Sequence, residues 1–181
     1  VVMNFHVASI YTLYGRRAGA EMFFEKTIET AREIYPGLKW TVFCNREAEA
    51  VLRVQAGSGL EIVRVPMLDN QFRKALWLEF LAAWTVDTKR PDVFWNPSGC
   101  NYFPGRWRCP TVTTFLDLGE YHVAEKYDRV RMFFRKRICI PRSVRRSVAF
   151  TTISQFTADD LVRFLNVREN VTVVHPGPAT H

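Results

Sequence analysis

Four stretches of this sequence carry side chains whose types and spacing suit chemistry. The run Leu13-Tyr14-Gly15-Arg16-Arg17-Ala18-Gly19-Ala20-Glu21 follows an apolar segment and opens directly onto a helix-length stretch. Amide groups at a helix start favour an anionic ligand, and glycine lets it come close, although Gly15 and Gly19 can equally be plain turn residues. Pro110-Thr-Val-Thr-Thr-Phe-Leu116-Asp117-Leu118 ends a second apolar run in a carboxylate. Asp117, beside Gly119, either accepts a hydrogen bond from a substrate hydroxyl or caps the short helix near Glu120. His122 is the imidazole closest to it in sequence, either a proton-transfer group or an incidental surface histidine. The long loop from Asn96 to Pro110 brings Tyr102, Phe103 and Trp107 together with Arg106 and Arg108. Such aromatic faces stack on sugar rings or apolar chains, and arginine forks onto phosphate, unless the rings fold back onto the core.

The fourth candidate is a basic patch. The net charge is +7, and the segment from Val123 to Ser147 accounts for all of it. Lys126, Arg129, Arg131, Arg135, Lys136, Arg137, Arg142, Arg145 and Arg146 face only Glu125 and Asp128 there, while the rest of the chain balances. In a helix, Tyr127, Val130, Phe134 and Ile138 make an inward stripe. Met132, Phe133, Cys139 and Ile140 then fall outside it among Arg129, Lys136 and Arg137, a mixture suited to an anionic membrane surface or a lipid-linked pyrophosphate. The alternative is a solvated basic helix whose extra aromatics pack on neighbours.

The elements that must position these loops alternate along the chain, strand then helix, as in a parallel sheet covered by helices. Strands are expected at 4–11, 40–44, 61–65, 92–95, 111–116, 150–154 and 171–174. Helices are expected at 19–35, 46–55, 72–86 (with Phe72, Leu76, Phe80 and Ala83 on one side), through the basic region, and at 155–166. Val7, Val42, Val63, Val93, Val112, Ile153 and Val173 are the expected buried strand positions. The fold class is therefore α/β, a Rossmann-like doubly wound and mainly parallel sheet, whose ligands gather beyond the carboxyl ends of the strands. At 181 residues and 48% hydrophobic composition, one well-cored domain is expected over 1–176.

Several function classes are disfavoured. No apolar run approaches the ~20 residues of a membrane-spanning helix, and no secretory leader precedes Met3, so a cytoplasmic protein is expected. The four cysteines make no CxxC pair, which argues against a zinc site and for a reducing compartment. Gly15 starts no GxGxxG, and Cys44-Asn45 ends the second strand where a ribose-binding acid would stand, which opposes a nucleotide-binding oxidoreductase half. The basic helix leaves a nucleic-acid-binding domain as a rival, but no RNP-like strand, KH turn or zinc module supports it, and no nucleic-acid partner is expected.

The end of the chain resembles the close of the amino-terminal domain of a GT-B glycosyltransferase of family 4. The residues are Ile153-Ser154-Gln155-Phe156-Thr157, Asp160-Leu161 and Val173-Val174-His175-Pro176-Gly177. Ala18-Gly19-Ala20-Glu21 is similar to the Gly-Gly-Ala-Glu that opens the family's first helix, with Ala18 in place of the first glycine. Leu116-Asp117-Leu118 resembles its His-Asp-Leu, with Leu116 in place of the histidine. The resemblance implies one half of a GT-B fold, with the linker to a second domain beginning at 177–181. It implies an acceptor-binding domain of a retaining enzyme that moves a sugar from a nucleotide-sugar donor to a glycan, lipid-linked or other acceptor, with no metal required. On that footing Asp117 is catalytic, and Gly15, Arg16, Arg17, Ala18, Gly19, Glu21, Asn96 and His122 lie near acceptor or donor phosphate. Arg129, Lys136 and Arg137 meet an anionic surface at the membrane periphery, and the isolated chain transfers no sugar.

Overall fold

The computed structural model describes residues 5–15, 19–54, 57, 59–123 and 127–177. Seven strands are present: β1 His6–Tyr11, β2 Lys39–Cys44, β3 Leu60–Arg64, β4 Val93–Asn96, β5 Thr111–Phe115, β6 Ala149–Thr152 and β7 Val171–Val173. Their order is β3-β2-β1-β4-β5-β6-β7, and the pairs β1–β2, β1–β4, β2–β3, β5–β6 and β6–β7 are parallel. This is the parallel, helix-flanked α/β sheet expected from the alternation. The helices are α1 Gly19–Ile34, α2 Arg46–Val54, α3 Gln71–Leu76, α4 Ala82–Lys89, α5 Gly119–His122, α6 Arg129–Phe134, α7 Ile140–Arg146 and α8 Gln155–Leu165. Single π turns, Trp77–Leu81 and Arg135–Cys139, join α3 to α4 and α6 to α7.

Two compact units divide the chain, one comprising residues up to 97 with 105–110, the other 98–104 with residues from 111 on. The first unit holds β1 to β4 and buries Val7, Tyr11, Phe24, Ile28, Val42 and Leu52. Rings fill its centre: Tyr11 stacks on Phe24 at 4.4 Å between centroids and Phe24 on Trp95 at 5.3 Å. The second unit holds β5 to β7 around Phe115, Leu118, Ile140, Phe150, Leu161 and Val167. Its α8 is bounded by local chemistry: Ser154 Oγ accepts from the Thr157 amide at the start, and Asn166 takes the left-handed conformation at the end.

The loop from Asn96 to Pro110 packs inward. Tyr102, Phe103 and Trp107 are buried; Trp107 lies 3.9 Å from Phe94 within the first unit, and Arg142 covers the Phe103 ring within the second. These rings form core and are not available as a stacking platform. Gly99 explains part of that closeness, because a Cβ there would sit 2.6 Å from the Phe115 ring.

Two expectations about burial are corrected. Val7 and Val42 are buried, but Val63, Val93, Val112, Ile153 and Val173 are only partly so. Val63 and Val173 lie on edge strands, and Ile153 lies one residue past β6. Phe72, Leu76 and Phe80, expected on one side of their helix, are 73%, 39% and 72% exposed, while Lys74, Trp77, Leu78, Ala82 and Val86 are buried. In the basic region Val130 is 79% exposed, while Arg135, Cys139 and Ile140 are buried. The second π turn breaks the 3.6-residue period from Arg135 on, whereas Val130 stands before it and is exposed on its own α-helical stretch.

Candidate functional site

In the first unit the chain runs β1, β2, β3 outward and then returns to place β4 on the other side of β1. That reversal is the switch point at which doubly wound sheets open a crevice beyond their strand ends. The residues following β1 and ending β4 flank it, namely Thr12 to Gly15 and Asn96. Asn45, one residue past β2, fixes the first of these segments. Its Nδ2 donates to the Leu13 carbonyl at 2.7 Å, and its Oδ1 accepts from the amides of Leu13 and Ala48, each at 3.1 Å. One side-chain amide thus staples the loop to the start of α2, a task that needs a donor and an acceptor together. An aspartate supplies no donor, so the departure from a ribose-binding acid has a structural reason.

Gly15 follows with φ 82°, a conformation that favours glycine, and its amide donates to Glu47 Oε2 at 3.0 Å. A carboxylate therefore already occupies one amide of this turn. Tyr14 donates to the Leu68 carbonyl at 2.6 Å, and the buried Lys74 ammonium lies 5.3 Å from the Tyr14 ring centroid. Gly19 begins α1, and Glu21 lies in its first turn. Arg16, Arg17 and Ala18 lie outside the described residues. Asn96 is buried at the end of β4.

In the second unit, β5 ends at Phe115 and delivers Leu116 and Asp117. The Leu116 carbonyl accepts from Thr157 Oγ1 at 3.3 Å, which ties the strand end to α8. Asp117 is exposed; its Oδ1 accepts from the Gly119 amide at 2.8 Å, closing a turn at the entry to α5. Asp117 thus closes the turn before α5, whose N-cap is Leu118 without a side-chain cap, and the exposed carboxylate remains at a strand's carboxyl end. His122, the last residue of α5, meets a partner that sequence reasoning did not assign to it: its Nε2 lies 2.6 Å from Asp160 Oδ2. Asp160 is buried on α8, whereas the His122 side chain keeps about a third of its surface exposed. Phe156 and Phe164, from the same helix, lie 5.4 and 5.2 Å from the imidazole. In the neutral ring, the tautomer that donates from Nε2 to this carboxylate has Nδ1 as an acceptor. The signal for Asp160 was in the sequence, since Thr157, Asp160 and Leu161 share one face of α8 at spacings of three and four.

Beneath this turn lies a buried ion pair. Arg135, from the second π turn, donates to Glu120 and to Asn101, and its guanidinium lies 4.2 Å from the Tyr127 ring centroid. Burial opposes the charge on Arg135, but the Glu120 carboxylate outweighs it and holds the guanidinium above its ordinary pKa. Of the three residues expected to meet an anionic surface, Arg129 and Arg137 are exposed, and Lys136 is half-buried with its ammonium 4.8 Å from the Tyr121 ring centroid. Among the described residues no three His, Cys, Asp or Glu side chains gather as a set that could hold a metal ion. No helix among them is long and apolar enough to cross a membrane.

Residues 19–180 match the profile of Glycosyltransferase Family 4. The chain belongs to that family. No individual curated protein matches it. The Ser154-capped α8 and β7 fall within the match, as does the strand that presents Asp117. The family 4 domain seen here is Rossmann-like and consistent with the amino-terminal half of a GT-B enzyme.

Proposed function

We propose that this family 4 domain is the acceptor-binding half of a retaining glycosyltransferase that moves a sugar from a nucleotide-sugar donor to a glycan or lipid-linked acceptor. A second domain grips the donor, no metal is required, and the chain by itself gives no turnover. The observation that carries this reading is the family match across 19–180. In the second unit, Asp117 orients the acceptor hydroxyl, and His122, held by Asp160, supplies the imidazole that Leu116 does not. Gly15 and Asn96 border the crevice of the first unit, where amides at the start of α1 favour phosphate. Arg129, Lys136 and Arg137 bring the protein to an anionic surface at the membrane periphery.

The test uses the intact enzyme with labelled nucleotide sugars and a panel of glycan and lipid-linked acceptors. Asp117→Asn preserves the oxygen that accepts from Gly119 and removes only the charge, so transfer is expected to fall by about a hundredfold with unchanged thermal stability. His122→Gln is expected to lower kcat with unchanged thermal stability. Full activity in both variants overturns the site, and no transfer to any acceptor by the parent enzyme overturns the reading.

A further inference from the structure

At the start of α8 one aromatic ring is held in place without being used by the core. The buried residues of that helix are Thr157, Ala158, Asp160 and Leu161, and Phe156 stands outside them, 66% exposed in the first turn. The backbone that carries it is fixed: Ser154 Oγ accepts from the Thr157 amide at 3.2 Å, and Thr157 Oγ1 donates to the Leu116 carbonyl at 3.3 Å. The Phe156 ring leans on the His122 imidazole, with 5.4 Å between centroids and 31° between planes. His122 is itself tied to the buried Asp160 through Nε2. Phe164, the other phenyl ring beside this imidazole, is half-buried and stacks on Tyr121 at 5.0 Å, which occupies it within the unit. A lone apolar side chain on a surface needs no explanation. This one is oriented by an imidazole and leaves apolar area in water beside polar groups.

Those groups are Asp117 and His122. Asp117 follows Leu116 and Phe156 precedes Thr157, so the hydrogen bond from Thr157 to Leu116 brings the exposed carboxylate and the exposed ring onto adjacent segments. An apolar plane with a carboxylate and an imidazole close by selects among ligands. A pyranose carries ring C–H bonds on its faces and equatorial hydroxyls around its rim. One face can therefore lie on an aromatic ring while rim hydroxyls donate to a carboxylate and share hydrogen bonds with an imidazole. An alkyl chain would gain from the ring but would strip water from the carboxylate without replacing its hydrogen bonds. A phosphate would be repelled by Asp117.

We infer that Phe156 is the platform on which a sugar ring of the acceptor stacks, so that the group entering this site is a pyranose. The assignment rests on the reading of Asp117 and His122 as the acceptor site, and adds to it the class of the acceptor and the residue that selects it.

Binding and transfer are measured separately on the intact enzyme. Saturation-transfer NMR with a panel of methyl pyranosides and their disaccharides needs neither donor nor turnover. Saturation is expected on the C–H protons of one ring face, lost in Phe156→Ala and kept in Phe156→Trp. In transfer assays with the saccharide that binds best, Phe156→Ala should raise KM about tenfold and leave kcat within about twofold, with Phe156→Tyr close to the parent. Thermal stability should not change, because the side chain is exposed. Face-selective binding that depends on Phe156, without any transfer by the parent, would leave the platform standing and remove the transferase reading. A panel that never binds, saturation unchanged in Phe156→Ala, or a fall in kcat at constant KM overturns the platform, the last by showing that the ring serves only to position His122. An equal rise in KM for polyprenyl phosphate, an acceptor without a sugar ring, overturns it too.

Discussion

Asn45 shows how far a single residue could be read. Its position after the second strand was legible, and it excluded a ribose-binding acid. Its actual task, joining Leu13 to α2 through three hydrogen bonds, depends on a contact across 32 residues that no local pattern encodes. Asn45→Asp keeps the size and one acceptor but places a second acceptor against the Leu13 carbonyl. Such a buried mismatch costs about 1–3 kcal/mol. Urea unfolding is expected to show that loss with an unchanged m-value, and an equally stable variant would mean that the loop is held by other contacts. The same limit explains Asp160: its helix face was readable, but its meeting with His122 over 38 residues was not. Asp117 and Leu116 were legible because a strand end is a local feature, whereas the buried rings of the Asn96–Pro110 loop depend on what Phe94 and Arg142 bring to them.

At the scale of elements, strand and helix existence followed from alternation and from punctuation, with Pro36-Gly37 ending α1 and Ser154 starting α8. The inward face of the basic helix did not follow in full, because a π turn adds a residue to the turn without any mark in the pattern. In the basic region that turn carries Arg135 inward onto Glu120, their side chains only 7% and 1% exposed. Removing one partner strands a buried charge, so Arg135→Met alone is expected to cost about 3–5 kcal/mol, and adding Glu120→Gln should recover much of it. Chemical denaturation of the two variants decides this, and a double variant no better than the single one would refute it. The start of α2 offers a pH-dependent counterpart. Asp69 accepts from the Arg46 amide at 2.8 Å and from Arg64, and that amide first of all holds its carboxyl below the ordinary value of 3.8. Its folded pKa is the lower one, so the stabilisation is complete above the unfolded value and is lost as pH falls through the folded value. Asp69→Asn should therefore be less stable than the parent near neutrality, with the difference closing in acid; a gap that persists at low pH would assign the effect to packing.

For the whole molecule, composition placed the charge excess in one segment, and family resemblance placed the chain in glycosyltransferase family 4. What composition could not show is how much of that charge is already spent: Arg135 pairs with Glu120, Arg146 donates to the Pro104 carbonyl and Arg142 lies over Phe103. Among the described residues of the segment, the bases left exposed are Arg129, Arg131, Arg137 and Arg145, fewer than the sequence total suggests. The cysteines give a view of both units at once, since Cys44 and Cys109 belong to the first and Cys100 and Cys139 to the second. Burial pushes the Cys44 thiol up to about 12 and the half-buried Cys109 up to about 11, and it raises Cys100 well above its ordinary value. The thiolate is the reactive form, so at pH 8 a thiol of pKa near 12 is ionised in roughly one molecule in ten thousand even before access is considered. Iodoacetamide followed by peptide mass spectrometry should therefore modify Cys109 first and slowly. Cys44, Cys100 and Cys139 should react only at the rate at which their unit opens, and all four should react at once in denaturant. Because two thiols report on each unit, matched rates for Cys44 and Cys100 would show that the units open together, whereas fast labelling of either in the folded protein would contradict the burial on which its raised pKa rests.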